Sequence, residues 1–248
     1  MTVLDQLLAG IGEGKRRFTI YASDGHDERD DGADIEERFA SRDVDVDYRT
    51  LPPGGPEPFV LIEEDGEFAG VFGARELRSL LEPPIVRPWK RTDVSEGYRV
   101  LFEVLDGTVF TALERRNLLA VSREIEDRAY RVGTGTLRVS FQTLSTFESQ
   151  ADAYRDLAAE TGLDVHIYGL ADWTPPEVPG ITFHGHSNES IGRYWVLAFD
   201  GGSDATQACG LVAREQPDGY LGVWTSDPGT VRDVANELAA TEREPTAG

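Results

Sequence analysis

The sequence predicts an α/β protein of two related halves, each with a mainly parallel sheet and an antiparallel hairpin at its edge. Three observations carry this expectation. Segments with helical apolar spacing alternate along the chain with short runs of β-branched and aromatic residues. The run Pro83-Pro84-Ile85-Val86-Arg87-Pro88 divides the alternation, since its prolines remove backbone donors and push their predecessors to extended geometry. The order of elements before that run recurs after it.

In the first half, Val3, Leu4, Leu7, Leu8 and Ile11 predict a helix over 3–11, closed by Gly12 and Gly14. Lys15, Arg16 and Arg17 read as the basic end of that helix. A strand over 18–22 follows, then an Asp/Gly-rich loop over 23–32 around His26, which reads as charged surface. Asp34 caps a short helix to Phe39. Val44, Val46 and Tyr48 then alternate with Asp45, Asp47 and Arg49, as in a half-exposed strand. Beyond the Pro/Gly connector 52–58, apolar runs 59–62 and 68–72 flank Asp65-Gly66, the residue pair that a two-residue hairpin turn selects. A helix over 74–81 completes the half.

In the second half, Asp93-Val94-Ser95-Glu96 has capping-box spacing ahead of an apolar run over 98–105 that Asp106-Gly107 ends. Thr111 and Glu114 repeat the spacing and are expected to open the central helix. On that helix Leu118, Ser122, Ile125, Ala129 and Val132 form one buried face, with Arg115, Arg116, Glu124, Arg128 and Arg131 away from it. Gly133 stops it. A strand over 137–141, a helix from a cap at Ser145 to about residue 160, a strand over 165–168 and a proline-rich loop over 171–180 follow. Strands over 194–199, 209–213 and 220–225 lead to a last helix over 231–238 behind Asp227-Pro228. The division is therefore 1–82 for the first half, 83–92 for the linker, 93–240 for the second half and 241–248 for a polar tail.

The repeat is closest in the hairpins. Residues 60–72 parallel 211–224, each pair of apolar runs turning at an Asp-Gly, Asp65-Gly66 and Asp218-Gly219. Upstream, 18–22 corresponds to 137–141 and 35–48 to 151–168. Duplication of one unit, degenerate in the first half, explains this order.

Composition excludes several functions. The chain carries 45 acidic against 24 basic residues, a net charge of −21, and its only lysines are Lys15 and Lys90. Such a surface repels itself in dilute buffer, whereas molar salt shortens the screening length to roughly 3 Å. A haloarchaeal-type, salt-adapted cytoplasmic protein is expected. Nucleic acid is excluded as a partner for want of a basic patch. No apolar run is long enough for a membrane helix and no signal peptide opens the chain. Cys209 is the single cysteine and its apolar neighbours make it a core residue.

No phosphate-cradling loop, dinucleotide fingerprint or nucleophile elbow is present. His184-Gly185-His186 places two imidazoles on one side of an extended segment, but only nonspecific third ligands such as Glu189 accompany it, and a surface loop pair is expected. The helix motif Ser122-Arg123-Glu124-Ile125-Glu126-Asp127 carries more. Arg123 stands three residues before Glu126 and four before Asp127, a spacing that serves a surface ion pair equally well. The sharper expectation turns Arg123, Glu126 and Asp127 toward the end of the strand at Phe141-Gln142, where open α/β sheets place ligands. Ser122, Tyr168, Trp173 and Trp195 then complete the candidate site with Phe141 and Gln142, giving aromatic walls and an orienting amide.

Residues 119–127, Val139-Ser140-Phe141-Gln142, Tyr154-Arg155-Asp156-Leu157-Ala158, Val165-His166-Ile167-Tyr168-Gly169 and Trp195-Val196-Leu197 together make the second half resemble the DICT sensory domain family, named for diguanylate cyclases and two-component systems. The resemblance covers roughly 98–238. It implies a non-catalytic signal-sensing module, in this chain a stand-alone one without an output domain, which acts by binding a small molecule or a signalling protein partner. It identifies neither ligand nor cofactor and brings no catalytic residue. Two other functions stay open: an enzyme using Glu126 and Asp127 as acid and base between the halves, with His166 or His186 nearby, and a scaffold without a ligand.

Overall fold

The computed structural model describes residues 3–10, 16–23, 44–75, 77, 102–107, 109–113, 115–187, 191–217 and 219–240. The loop over 24–32, the helix over 34–39, the linker 83–92, the cap at 93–96, Glu189 and the tail 241–248 lie outside these residues, as does most of the helix expected over 74–81.

After helix α1 (Val3–Gly10), strand β1 (Arg16–Ala22) pairs parallel with β2 (Val44–Thr50) and antiparallel with β3 (Phe59–Glu64). Asp65 (φ 52°) and Gly66 (φ 85°) then turn β3 into β4 (Glu67–Gly73), the two positive φ values that the predicted Asp-Gly hairpin requires. This four-stranded sheet has the order β2-β1-β3-β4. Arg16 and Arg17 begin β1 and do not end a helix: Arg16 is buried and donates to Glu64 (2.8 Å) and to the carbonyl of Asp106.

The second sheet is built from β5 (Val109–Leu113), β6 (Thr134–Thr143), β7 (Gly162–Leu170), β8 (Ile181–His186), β9 (Tyr194–Phe199), β10 (Cys209–Gln216) and β11 (Gly219–Thr225). Its helices are α2 (Arg115–Val132), the short α3 (Leu144–Phe147), α4 (Ala151–Glu160) and α5 (Pro228–Ala240), with a 3-10 turn at Glu148–Gln150 between α3 and α4. The seven strands lie in the order β5-β11-β10-β9-β6-β7-β8.

The fold is mixed α/β, and the expectation of mainly parallel sheets is corrected. Among the described residues only β1–β2, β6–β7 and β7–β8 are parallel, and every other described pairing is antiparallel. Of the two parallel pairs whose connection is described, β6–β7 is joined through α3 and α4 and β7–β8 through a loop. The links β3–β4, β9–β10 and β10–β11 are short, and short links join antiparallel neighbours. The second hairpin is also not at the edge, because β5 pairs outside β11. That pairing overrides the cap predicted at Thr111, so α2 begins at Arg115. His184 and His186 lie in β8, not in a loop.

The order β2-β1-β3-β4 recurs within the larger sheet as β7-β6-β9-β10, with the same parallel and antiparallel senses. The strands opposite β3–β4 in this comparison are β9–β10, one strand earlier than the hairpin the sequence aligns with them. Helix α1 docks on the side of the larger sheet away from α2. Its Leu4 and Leu8 join Val231, Val234 and Leu238 of α5 against Val196, Val212 and Val223. Asp5 secures it, accepting from Tyr194 Oη (2.6 Å) and pairing with Arg214 (2.7 Å).

The opposite face of the larger sheet carries α2, α3 and α4 over a core that continues to Phe18, Ile20, Val60 and Ile62 of the first sheet. Helix α2 is consequently buried on more than its predicted face. Glu124 and Arg128, expected to point outward, are buried, and the Arg128 guanidinium lies 5.5 Å over the ring of Phe102.

Candidate functional site

Helix α2 stops where predicted. Gly133 takes φ 72°, donates its N–H to the Ala129 carbonyl (2.9 Å), and sends the chain straight into β6. The turn sets α2 across β6, β9 and β10 with Ser122 above Trp195. Ser122 Oγ donates to the Leu118 carbonyl (2.8 Å) and accepts from Trp195 Nε1 (3.1 Å), so both buried polar groups are satisfied. Arg115 stacks on the indole at 5.2 Å.

One turn further along α2, Glu126 is 3% exposed. Its Oε1 accepts from Tyr154 Oη of α4 (2.6 Å), and its Oε2 pairs with Arg123. A second guanidinium nitrogen of Arg123 reaches Gln150 Oε1 in the 3-10 turn. The ring of Tyr154 packs at 5.5 Å from Phe141 and 5.7 Å from Phe147, an aromatic cluster under the polar network. Together with Leu119, Val139, Phe141 and Leu197, these groups enclose about 10 Å³. That is roughly room for one water molecule.

Burial pushes the Tyr154 hydroxyl well above its ordinary range, and the Glu126 carboxylate adds to the effect, so the tyrosine donates its proton and keeps it. Burial, the largest single influence, would lower Arg123, but the Glu126 charge, Tyr154 and the hydrogen bond to Glu126 together outweigh it and hold the guanidinium above its usual value. The network is an arginine–carboxylate pair whose outer valences are met by a phenol and an amide.

Of the nine residues the sequence proposes, the structure brings Ser122, Arg123, Glu126, Phe141 and Trp195 around this cleft. The other four are elsewhere. Asp127 pairs with Arg131, which also approaches Glu124 at 3.4 Å. Gln142 takes φ 64° at the irregularity in the β6–β7 pairing between Ser140 and Thr143 and does not line the cleft. Trp173 packs half-buried on the same apolar core from the loop after β7. Tyr168 is on the opposite face of the sheet, stacked on His184 at 4.5 Å.

The sheet also separates Glu126 from His166, which faces Tyr168 and His184, so the imidazoles weighed as partners for Glu126 and Asp127 do not meet them. Among the described residues no group of three or more His, Cys, Asp or Glu is arranged to hold a metal. No described helix is long and apolar enough to cross a membrane.

Sequence reasoning misses Tyr154 and Gln150 as cleft residues. Tyr154 has a signal, since it shares the buried face of α4 with Ala153 and Leu157 and a buried phenol needs a polar partner. Gln150 has none, because its role depends on the turn between α3 and α4.

Fold and cleft together define a mixed α/β module whose polar residues on one sheet face are locked to one another. Residues 99–216 match the family model of the DICT sensory domain, described as a sensory domain in diguanylate cyclases and two-component systems. The match runs from before α2 to the end of β10, includes every residue of the cleft, and supports the DICT family for this segment. No curated protein matches the sequence. Among solved structures, polyphosphate kinase from Porphyromonas gingivalis aligns at 14% identity and a TM-score of 0.38, over 98% of this chain and 48% of that one. The chain thus spans about half the length of that kinase.

Proposed function

We propose that the protein is a non-catalytic sensor whose input site is the seam between α2 and α4, and which relays a change at that seam to a separate signalling or transcriptional component. One observation carries this. Inside the segment that matches a sensory family, the Arg123–Glu126–Tyr154–Gln150 network and the Ser122–Trp195 bond tie α2 to α4, the 3-10 turn and β9 around a water-sized void. A small molecule or a partner side chain that competes for these groups separates α2 from α4, which is a change of shape that a partner can read.

Ser122, Arg123, Glu126, Phe141 and Trp195 form the site, joined by Tyr154 and Gln150; Asp127, Gln142, Tyr168 and Trp173 act only through their neighbours. The sensing unit is the second half, 93–240, and the half over 1–82 is a diverged copy of it without the Ser122-to-Asp127 motif. The acidic surface suits a cytoplasm of high salt.

Thermal-shift and calorimetric screens in molar KCl against nucleotides, cyclic dinucleotides and flavins test the proposal, followed by pull-down of partners. A ligand that shifts Trp195 fluorescence, and whose binding is lost in Arg123→Gln, supports it. Absence of both a ligand and a signalling partner overturns it.

A further inference from the structure

The sheet face turned away from α2 carries a second polar cluster that the α2–α4 seam does not use. Along β6, Leu137 and Val139 point into the α2 core, so Arg138 and Ser140 alternate to the other side. Strand register sets Arg138 beside His166 and Ser140 beside Tyr168 on β7, and Tyr168 beside His184 on β8. Neighbouring strands are about 4.8 Å apart, so these five side chains share one patch.

Two members of the patch are short of partners. Ser140 is 0% exposed and its Oγ has no hydrogen-bond partner. Arg138 Nη1 is buried and equally unsatisfied, and no described carboxylate pairs with this guanidinium in a chain of 45 acidic residues. A buried donor left unmade costs the desolvation of that donor, and a buried cation costs more. Such a pair on one face calls for an acceptor, a water molecule or a ligand.

The histidines complete the arrangement. His166 Nδ1 and His184 Nε2 are 2.9 Å apart, with ring planes 12° from parallel and centroids at 5.2 Å, so the two imidazoles meet edge to edge through an N–H···N bond. Asp164 Oδ2 lies 3.0 Å from His166 Nε2 and takes that proton. His166 Nδ1 is then the acceptor and His184 Nε2–H the donor, a tautomer assigned from these bonds. His186 joins the same aromatic row, 6.1 Å from Tyr168, so three of the protein's four histidines lie on this face, with His166 next to Arg138.

We propose that this face binds an oxyanion of the phosphate type, with Arg138 and the Ser140 hydroxyl as its principal donors and the Asp164–His166–His184 chain positioning the imidazoles around it. The charge-assisted bonds of a guanidinium to a phosphate are what Arg138 lacks in the empty protein. The site is independent of the α2–α4 seam, being on the opposite face of β6.

Isothermal titration of the full chain in molar KCl with inorganic phosphate, and separately with phenyl phosphate, tests it against Arg138→Gln and Ser140→Ala. Both substitutions remove unsatisfied groups and are expected to leave the fold intact. Affinity is expected to fall by about tenfold or more in Arg138→Gln, as for loss of a hydrogen bond to a charged group, and by less in Ser140→Ala. The His166 and His184 ring resonances are expected to move on titration of the wild type and to stay still in Arg138→Gln. Tighter binding of phenyl phosphate identifies a phosphate monoester as the ligand; equal or weaker binding identifies the free ion. Absence of binding of both anions to the wild type, or equal affinity in Arg138→Gln, overturns the proposal.

Discussion

Tyr154→Phe isolates one bond of the cleft without disturbing its packing. The ring stays among Phe141 and Phe147, and only the hydroxyl that donates to Glu126 Oε1 at 2.6 Å is removed. The carboxylate oxygen left behind belongs to a side chain 3% exposed and loses that donor. A hydrogen bond to a charged group is worth about 1.5–3 kcal/mol, so a loss near ~2 kcal/mol is expected. For a chain of 248 residues this lowers Tm by roughly 4–8 °C. Unfolding is followed by circular dichroism in molar KCl, which screens surface repulsion but leaves a buried pair largely untouched. Combining Tyr154→Phe with Glu126→Gln closes a double-mutant cycle, in which the charge-dependent part of the bond appears as a coupling of about 1 kcal/mol. A loss below about 0.5 kcal/mol for Tyr154→Phe, or additivity in the cycle, refutes the view that this bond joins α2 to α4.

Other consequences are open to measurement. Asp227 Oδ1 accepts from the Thr230 N–H (2.7 Å) and hydroxyl (2.7 Å) at the start of α5, so Asp227→Ala is expected to cost about 1 kcal/mol of stability at neutral pH. The Thr230 hydroxyl, then its N–H, hold that carboxyl below its ordinary 3.8, so the cap's contribution is present above pH 3.8 and lost as pH falls through the lower folded value. Asp106 has the opposite sign: burial raises it despite the bond from the Ser226 N–H, so ionisation opposes folding at neutral pH. Asp106→Asn is therefore expected to raise Tm at neutral pH, and this gain should disappear below pH 3.8, where the acid is neutral in both states. Cys209 is fully buried, which pushes its thiol up to about 12, so a disulfide reagent should label it only at the rate of unfolding, and faster labelling in the native protein contradicts the core placement.

What the sequence conveys and what it withholds divide along physical lines. The end of α2 at Gly133 and the hairpin at Asp65-Gly66 depend on backbone conformations that few residues adopt, and both stand where the sequence puts them. Strand direction depends on connections and on partners distant in the chain, and so the mixed character of the sheets is not visible locally. The same holds for β5, whose five residues carry a cap signal but find β11 more than a hundred residues away. Facing is hidden wherever a strand is buried on both sides. Every residue of β9 is buried, so alternation cannot tell that Trp195 meets Ser122 while Tyr194 meets Asp5. Tyr168 is assigned to the wrong face for the same reason, standing in a run of buried residues in β7. Arg123 and Glu126 are legible as a pair because three residues of helix separate them; Tyr154, 28 residues from Glu126, is not.

The composition of the seam bears on how it would open. An arginine–glutamate pair in this position is poor evidence of stability, because desolvation offsets much of the attraction and an apolar filling of equal volume often serves as well. An apolar seam, however, loses about 25 cal/mol for each Å² it exposes, with nothing returned by the solvent. A polar seam behaves differently on separation. The Glu126 carboxylate, the Arg123 guanidinium, the Tyr154 hydroxyl and the Gln150 amide each exchange a protein partner for water, so the net cost of parting them is a fraction of their gross strength. Beneath them the edge-to-face contact of Phe141 and Phe147 at 5.5 Å holds β6 to α3 without involving the polar layer. A seam that is satisfied when closed and would be hydrated when open suits a two-state element better than an apolar one does, which is what the proposed sensor requires.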